Sequence, residues 1–275
     1  SGFMITRLRN WSNTEGNRSR PVAQNYSKVT VSQGFLEGIL DNVSVSKQRA
    51  TSQFLPLKSG LVVSCQVPDG TPIDTPAFIA AQAATVIEAG AVGIRAQGIA
   101  NVRAVAQSVN VPIIGLVKRY LDSTPIYITP LVVDVIELEA AGATIVAVDA
   151  TERLRTDNVT FSKFMTELRQ HTDIPILADV DSQESAIIAE ALGCDAVATT
   201  LSGYTEIPAP ELPNIELVER IASRVKVPIV AEGGYTQQEQ VTQALNAGAW
   251  SVCIGTAITN PYLLTKHFLR GIFER

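Results

Sequence analysis

Short apolar runs alternate with longer amphipathic stretches from Gly60 to the end of the chain. The runs are rich in Val, Ile and Ala, which is typical of strands buried on both faces of a parallel sheet. Eight such runs predict strands at residues 61–65, 92–96, 113–117, 144–148, 176–180, 196–201, 229–231 and 251–254. The stretches between and after them predict helices at residues 76–89, 132–141, 161–171, 183–192, 215–224, 237–247 and 261–273.

Glycine and proline mark the borders of these elements. Several predicted helices are followed by a glycine that can take the left-handed C-terminal cap, namely Gly90, Gly142, Gly193 and Gly248. Three predicted strands directly follow a proline, namely Pro112, Pro175 and Pro228. Repeated strand–helix units predict an α/β fold of the (β/α)8 TIM-barrel type. An open doubly wound sheet is the alternative, but SCQVPDG follows the first strand where a dinucleotide fold would have G-x-G-x-x-G.

The first part of the chain lacks this alternation. Residues 1–55 are polar and rich in Ser, Asn, Gln and Arg, and one short amphipathic piece at residues 35–40 predicts a helix. We therefore expect an N-terminal extension, residues 1–55, that is partly disordered or packed on the barrel exterior. Residues 56–275 are expected to form the catalytic barrel.

Composition narrows the classes of function. The 275-residue chain has a formal net charge of −5 and no basic cluster interleaved with aromatics, so nucleic acid is not an expected partner. No apolar run is long enough to cross a bilayer and the start lacks a signal-peptide core, so we expect a cytoplasmic protein without a membrane partner. The cysteines are scattered, and the histidines lie away from the strand ends. Neither a metal site nor a Ser-His-Asp triad is therefore expected.

A polar residue or glycine lies at the end of every predicted strand, and in a barrel these ends meet at one mouth. The positions are Gln66, Arg95, Lys118, Asp149, Asp179, Thr200 with Ser202, Glu232 and Gly255. Strands that merely end at the surface would also end in polar residues. One lysine, one arginine and three carboxylates at one mouth favour a functional site instead, because desolvating a lysine directly after a buried strand is costly.

Two glycine clusters end the last two predicted strands, as Ala-Glu-Gly-Gly at residues 231–234 and Ile-Gly-Thr at residues 254–256. Barrels often bind phosphate at this place through backbone N–H groups, and glycine lets the backbone approach the anion closely. The expected phosphate-binding residues are Gly233, Gly234, Gly255 and Thr256. Tight turning is the structural alternative.

A lysine near carboxylates suits two reactions. The amine can act as a base that removes a proton next to a carbonyl, or as a nucleophile that forms a Schiff base in a lyase or aldolase. A sugar-phosphate-binding protein without turnover is the third possibility. Arg119 or Arg95 would lower the pKa of Lys118 and Asp149 or Asp179 would raise it, and the sequence leaves this balance open.

Nine stretches of the predicted barrel form a recognisable set. They are GLVVSCQ (60–66), GAVGIRAQG (90–98), PIIGLVKR (112–119), YITP (127–130), VDATERLR (148–155), LADV (177–180), TTLSGYT (199–205), AEGG (231–234) and GTAITNP (255–261). Over about residues 57–272 the chain resembles the N-acetylmannosamine-6-phosphate 2-epimerases. At two positions where that family commonly has arginine, one of which would contact phosphate, this chain has Gly234 and Asn260.

The resemblance implies a cytoplasmic, cofactor-independent TIM-barrel isomerase that inverts C2 of a phosphorylated N-acetylhexosamine in amino-sugar and sialic acid catabolism. It implies that Lys118 removes and returns the C2 proton and that Glu232 is its carboxylate partner, which also helps the sugar ring to open. The positions that match sugar-holding residues are Gln66, Arg95 and Asp179, and those that match the phosphate-binding backbone are Gly233 and Gly255. We also expect substrate contacts from the other ring members, Asp149, Thr200 and Ser202, and a homodimer, because such barrels are often homo-oligomers.

Overall fold

The structure is a computed structural model that describes residues 52–205 and 209–273. Its eight parallel strands are hydrogen-bonded in chain order, and β8 pairs with β1 to close the barrel. The strands are β1 (Leu61–Cys65), β2 (Gly93–Gln97), β3 (Ile113–Leu116), β4 (Ile145–Asp149), β5 (Ile176–Asp179), β6 (Ala196–Ala198), β7 (Ile229–Glu232) and β8 (Ser251–Ile254). The predicted (β/α)8 barrel is confirmed. The helix predicted at residues 35–40 lies outside the described residues.

A helix follows each strand. The helices are α1 (Pro76–Glu88), α2 (Ile99–Ala106), α3 (Val132–Ala140), α4 (Phe161–Leu168), α5 (Gln183–Ala191), α6 (Ile215–Ala222), α7 (Gln238–Asn246), the short α8 (Thr256–Thr259) and α9 (Pro261–Phe273). Neither α2 nor α8 was among the predicted helices. Helix α2 starts from Gly98, which has a positive φ and no side chain to cap the helix, so the usual start signal is missing. The predicted glycine caps are confirmed, since Gly90, Gly142, Gly193 and Gly248 all have positive φ.

The strands separate two apolar layers because successive side chains point to opposite faces. One layer fills the barrel interior with residues such as Val62, Ile114, Leu177 and Val230. The other lies between the barrel and the helices. This alternation also decides which polar residues face the barrel axis.

The bottom of the barrel is closed by the segment that precedes β1. Phe54 and Leu57 are 2 % and 0 % exposed and belong to the interior apolar cluster. The indole Nε1 of Trp250 donates to the carbonyl oxygen of Phe54 at 2.8 Å. Gly93 leaves space for Leu57, since a Cβ at that position would lie 2.5 Å from Leu57 Cδ2. Among the described residues, Phe54 and Leu57 therefore seal the interior at this end, and the polar strand ends lie at the opposite end.

Two surface features complete the description. Among the described residues, no helix combines the length and the apolar character that a membrane span requires. Helix α9 carries large apolar side chains that are exposed, including Tyr262 (44 %), Phe268 (73 %) and Ile272 (58 %).

We predict that Phe54→Ala destabilises the barrel by about 3–5 kcal/mol, because it leaves a cavity in the interior cluster. Leu55→Ala is the matched control, since Leu55 is 57 % exposed and its truncation should cost about 0.5 kcal/mol or less. Urea unfolding followed by fluorescence measures both. Equal midpoints for the two variants would show that Phe54 does not plug the barrel.

Candidate active site

Four charged side chains point into the barrel at its carboxyl-terminal mouth. Asp149, Asp179 and Glu232 are the last residues of β4, β5 and β7, and Arg95 is the central residue of β2. In β4, β5 and β7 the residue two positions earlier belongs to the interior cluster, so the carboxylates face the same interior. The predicted convergence at one mouth is therefore present for these residues.

Arg95 holds two of the carboxylates together. Its guanidinium forms a bidentate pair with Asp179, with Nη1 3.0 Å from Oδ1 and Nη2 2.6 Å from Oδ2. Nη1 also lies 3.2 Å from Glu232 Oε2. Arg95 and Asp179 are 1 % and 0 % exposed, and Glu232 is 13 % exposed. The Arg95 pair with Asp179 is thus fully desolvated, whereas Glu232 keeps access to the mouth.

Thr200 joins the same carboxylates. Its Oγ1 lies 2.7 Å from Asp179 Oδ1 and 3.2 Å from Glu232 Oε2, and its single proton can be donated to either. The preceding Thr199 anchors the Glu232 backbone, accepting from its N–H at 3.0 Å and donating to its carbonyl at 2.9 Å. These contacts explain why the prediction of a strand to residue 201 was wrong: β6 ends at Ala198, and the 3-10 turn that follows directs Thr200 to the site.

Burial and charge act in opposite directions on this network. Burial by itself would lower the pKa of Arg95, but the nearby carboxylates of Asp179 and Glu232 outweigh it and raise the pKa. Arg95 is therefore a permanent cation. Burial raises the pKa of Glu232, and the positive charge of Arg95 and the Thr200 hydrogen bond oppose that shift. Glu232 is thus a carboxyl group that holds a proton more readily than an ordinary glutamate does.

Lys118 is delivered to the mouth by a small antiparallel ladder after β3. Lys118 pairs with Ile128, and the N–H of Arg119 donates to the carbonyl of Tyr127 at 2.8 Å. The guanidinium of Arg119 turns away and pairs with buried Asp134, with Nε 3.2 Å from Oδ1. Asp134 Oδ2 also accepts from the N–H of Leu131 at the start of α3. Arg119 therefore fixes the ladder to α3 and leaves Lys118 facing the mouth.

The amine of Lys118 has a depressed pKa. The residue as a whole is exposed, but protein atoms surround its amine closely enough to lower its pKa below the ordinary 10.5, and the charge of Arg95 lowers it further. Asp69, Glu232 and Asp179 oppose this shift. Within residues 52–205 and 209–273, the amine has no hydrogen bond or ion pair. Lys118 therefore lies within electrostatic reach of Arg95, Asp179 and Glu232 and is free to contact a ligand.

Other members of the predicted ring have protein partners. Asp149 is buried and accepts from Thr151 Oγ1 at 2.7 Å and from Arg153 Nη2 at 2.6 Å. Burial raises the pKa of Asp149, although Arg153 and Thr151 lower it in part. Ser202 is buried and accepts from Asn214 Nδ2 at 2.9 Å. The structure therefore gives both residues a role in holding loops at the mouth, and their predicted substrate contacts stay predictions.

The glycine clusters lie at the β7 and β8 edge of the mouth. Gly233 and Gly234 have φ of 111° and 78°, in the region that favours glycine. A Cβ at Gly234 would lie 2.5 Å from Leu212 Cβ, so the arginine common in the family would not fit there without moving that loop. Gly255 caps α8, and Thr256 is its exposed first residue.

The two positions beside this edge have clear structural roles. Asn260 is 7 % exposed, and its Oδ1 accepts from the N–H of Leu263 at 3.0 Å, so it caps the start of α9. Gln66 Nε2 donates to Ser64 Oγ at 2.8 Å, and a Cβ at Gly255 would lie 3.2 Å from Ser64 Cβ. Gln66 is therefore next to the Gly255 turn, across the β1–β8 closure.

Three residues near the site were missed from the sequence. Asp69 lies in the polar loop after β1, and Tyr127 lies in the ladder with Lys118, so neither ends a strand. Cys253 is an inward-facing β8 residue paired in register with Glu232, to which its thiol hydrogen-bonds. Its apolar surroundings in the sequence resemble those of any core cysteine. Only the inward alternation of β8 could have indicated it.

The described residues offer little alternative chemistry. Across residues 52–205 and 209–273, no group of three or more His, Cys, Asp or Glu side chains is placed to hold a metal ion. Burial raises the pKa of the Cys65 and Cys194 thiols to about 12, so neither is a ready nucleophile. The mouth combines an amine with a depressed pKa and a carboxyl group with a raised pKa, which are groups suited to proton transfer.

Comparisons with known proteins show the family of the chain. The family model described as "Putative N-acetylmannosamine-6-phosphate epimerase" matches residues 79–274. A relative from Caldanaerobacter subterraneus subsp. tengcongensis, named "Putative N-acetylmannosamine-6-phosphate 2-epimerase", is 42 % identical over 80 % of this chain and 93 % of its own length. One of the same name from Thermosynechococcus vestitus is 40 % identical over 78 % of this chain and 94 % of its own.

Solved structures show the same relation. The N-acetylmannosamine-6-phosphate 2-epimerase from Clostridium perfringens superposes with a TM-score of 0.73 and is 34 % identical, covering 78 % of this chain and 94 % of its own. Thiamine phosphate pyrophosphorylase from Pyrococcus furiosus, 18 % identical with a TM-score of 0.53, shares the fold alone. The chain is thus an enzyme, an epimerase acting on carbohydrates, and it belongs to the N-acetylmannosamine-6-phosphate 2-epimerase family.

Proposed function

We propose that this chain interconverts N-acetylmannosamine 6-phosphate and N-acetylglucosamine 6-phosphate by moving the C2 proton with Lys118. The observation that carries the proposal is that Lys118 lies within electrostatic reach of both Glu232 and Arg95, which themselves form an ion pair. Lys118 follows β3 and Glu232 ends β7; the charge of Arg95 lowers the pKa of both groups, and the Glu232 carboxylate raises that of Lys118.

The first step of the proposed reaction opens the sugar ring. The C1–O5 bond breaks, O1 loses its proton, and O5 gains one. Glu232 is the group at the mouth that can hold and pass such a proton, because burial raises its pKa. The product of this step is an open-chain aldehyde at C1. The aldehyde makes the proton on the adjacent C2 acidic, whereas the C2 proton of the closed ring is not acidic.

The second step is the inversion. Lys118 Nζ takes the C2 proton, the C2–H electron pair becomes the C1–C2 double bond, and O1 gains the negative charge. Arg95 and the protonated form of Glu232 are placed to stabilise that oxygen. In the proposed step the planar intermediate rotates about its C2–C3 bond, so that Lys118 returns the proton to the opposite face of C2 and gives the epimer. A depressed pKa favours Lys118 in this role, because a neutral amine is required to accept the proton.

The phosphate is assigned to the β7–β8 edge. The backbone N–H groups near Gly233, Gly234, Gly255 and Thr256 supply donors without side-chain bulk. The side chains of Gln66, Arg95, Asp179 and Thr200 are proposed to hold the sugar above the interior. Because Gly234 and Asn260 replace the arginines common in the family, we expect backbone donors to dominate phosphate binding in this chain.

The wider predictions from the sequence fit this proposal. The reaction belongs to the breakdown of amino sugars and sialic acid, and a cytoplasmic location stays a prediction. The homodimer also stays a prediction; the exposed apolar side chains of α9 support it, and sedimentation of the purified chain measures it.

We predict that Lys118→Ala lowers C2–H exchange with deuterated water by about 100- to 10,000-fold while the fold is retained. NMR of N-acetylmannosamine 6-phosphate at C2 follows the exchange, and circular dichroism follows the fold. Lys163→Ala is the control, because Lys163 is an exposed residue of α4. Full exchange in Lys118→Ala would refute the assigned base.

Borohydride should trap no adduct in the wild type; a trapped imine would favour the Schiff-base alternative.

We predict that kcat/KM for exchange rises with pH and levels off below pH 10.5, because Lys118 must be neutral and its pKa is depressed. Asp69→Asn should move this rise to lower pH, since the Asp69 carboxylate raises the pKa of Lys118. Asp173→Asn, in the loop before β5 at the closed end, is the control. A rise that moves to higher pH in Asp69→Asn would contradict the assignment of the base.

We predict that Gly255→Ala raises KM for the phosphorylated substrate by about 10-fold, the cost of one weakened hydrogen bond to a charged group. The new Cβ would press on Ser64, at 3.2 Å, and displace the turn. Exchange of unphosphorylated N-acetylmannosamine at saturating concentration should change little. Gly271→Ala in α9, where a Cβ meets no described atom within 4 Å, is the control. Equal effects on both substrates would show that phosphate does not bind at this edge.

A further inference from the structure

Aromatic side chains lie at the mouth, and the proposed reaction assigns them no role. Tyr127 packs against the interior apolar cluster and is half-buried, and its ring stacks on that of Tyr120 with centroids 5.4 Å apart and an interplanar angle of 12°. Tyr120 is 74 % exposed, and Tyr204, from the loop after β6, is 67 % exposed. Large exposed aromatics at an open mouth are costly in water, and they are typical of carbohydrate and amide contacts.

Backbone pairing in the ladder places Tyr127 close to Lys118, the proposed base. Its carbonyl accepts from the N–H of Arg119, and the following residue, Ile128, pairs with Lys118. Burial raises the pKa of the Tyr127 hydroxyl, Tyr204, Tyr120 and Asp179 raise it further, and Arg153 opposes the shift, so the hydroxyl is within electrostatic reach of the mouth residues Asp179 and Arg153. Asp179 therefore lies within electrostatic reach of both Lys118 and Tyr127. Among the described residues, the Tyr127 hydroxyl has no hydrogen-bond partner.

The chemistry of the substrate places its acyl group near Lys118. The C2 atom that loses its proton also carries the acylamino nitrogen, so the acyl group lies only a few bonds from the amine. The charged groups that act on the Lys118 amine are Arg95, Asp179 and Glu232, together with Asp69 in the loop after β1. A methyl group gains nothing from contact with those charges. The stacked rings of Tyr120 and Tyr127 offer an apolar surface beside the ladder that carries Lys118.

We propose that Tyr127, backed by Tyr120, contacts the 2-acylamino group of the sugar and determines which acyl chain the enzyme accepts. The ring packs on the acyl methyl group, and the free hydroxyl donates to the amide carbonyl. The inference rests on the proposed function and adds a specificity-determining residue to it. No group among the matched or predicted site residues serves this part of the substrate.

The test uses the 6-phosphates of N-acetyl-, N-propanoyl- and N-butanoyl-mannosamine, with C2–H exchange as the readout for each. In Tyr127→Ala, KM for the acetyl substrate should rise about 3- to 10-fold, the worth of one aromatic contact. The ratio of kcat/KM for acetyl over butanoyl should fall about 10-fold, because the space left by the ring accepts the longer chain. Tyr127→Phe should keep that ratio and raise KM for all three substrates alike, which isolates the hydroxyl.

Tyr120→Ala keeps the test decisive if Tyr127→Ala does not fold, because the exposed Tyr120 ring can be removed at little cost to stability. It should lower the same ratio about 2- to 3-fold through the lost backing ring. Leu55→Ala at the closed end of the barrel is the control and should leave the ratio unchanged, because Leu55 is 57 % exposed and far from the mouth along the strands. An unchanged ratio in the folded variants, with normal exchange in the wild type, overturns this inference alone. Absence of exchange in the wild type with every substrate overturns the proposed function and the inference with it.

Discussion

A guanidinium clamped by carboxylates inside a closed barrel is the interaction on which the candidate site depends. Arg95 is among the largest fully buried side chains, and its position in the barrel interior is tolerable only because Asp179 and Glu232 neutralise it. Removing one partner from such a buried pair typically costs about 3–5 kcal/mol, because the remaining charge has no solvent. The Arg95–Asp179 pair therefore contributes to the stability of the fold. By fixing Arg95, it also limits where Glu232 can lie.

The same guanidinium also sets the chemistry of its neighbours. Burial alone would make Glu232 too weak an acid and leave it protonated, and Arg95 moderates that shift. Across the mouth, Arg95 adds to the desolvation that lowers the pKa of Lys118. One fixed cation thus lowers the pKa of both groups: it opposes the effect of burial on Glu232 and adds to the effect of burial on Lys118. Such a balance of burial and charge is what the proposed proton transfer between the substrate and these two groups requires.

Much of this could be predicted because barrel strands carry strong local signals. Apolar runs, glycine caps and polar strand ends located Arg95, Asp179 and Glu232 without any coordinates. The sequence could not show that Arg95 and Asp179 would pair with each other, since they are far apart along the chain and either could have bound ligand directly. It also could not show that Asp149 and Ser202 would find partners within the loops. Tyr127 was missed because its place depends on a short ladder, which has no periodic signal in the sequence.

The seal at the closed end has a consequence for how the chain is made. Trp250 bonds to Phe54 across 196 positions of sequence, and β8 completes the ring only by pairing with β1. During synthesis the amino-terminal end leaves the ribosome first and must wait for nearly the whole barrel before either contact can form. Until then, the interior apolar face of the earlier strands has no cover at its base. Such long-range closure is slow compared with local helix formation. The nascent barrel therefore exposes aggregation-prone apolar surface until its last strand has paired.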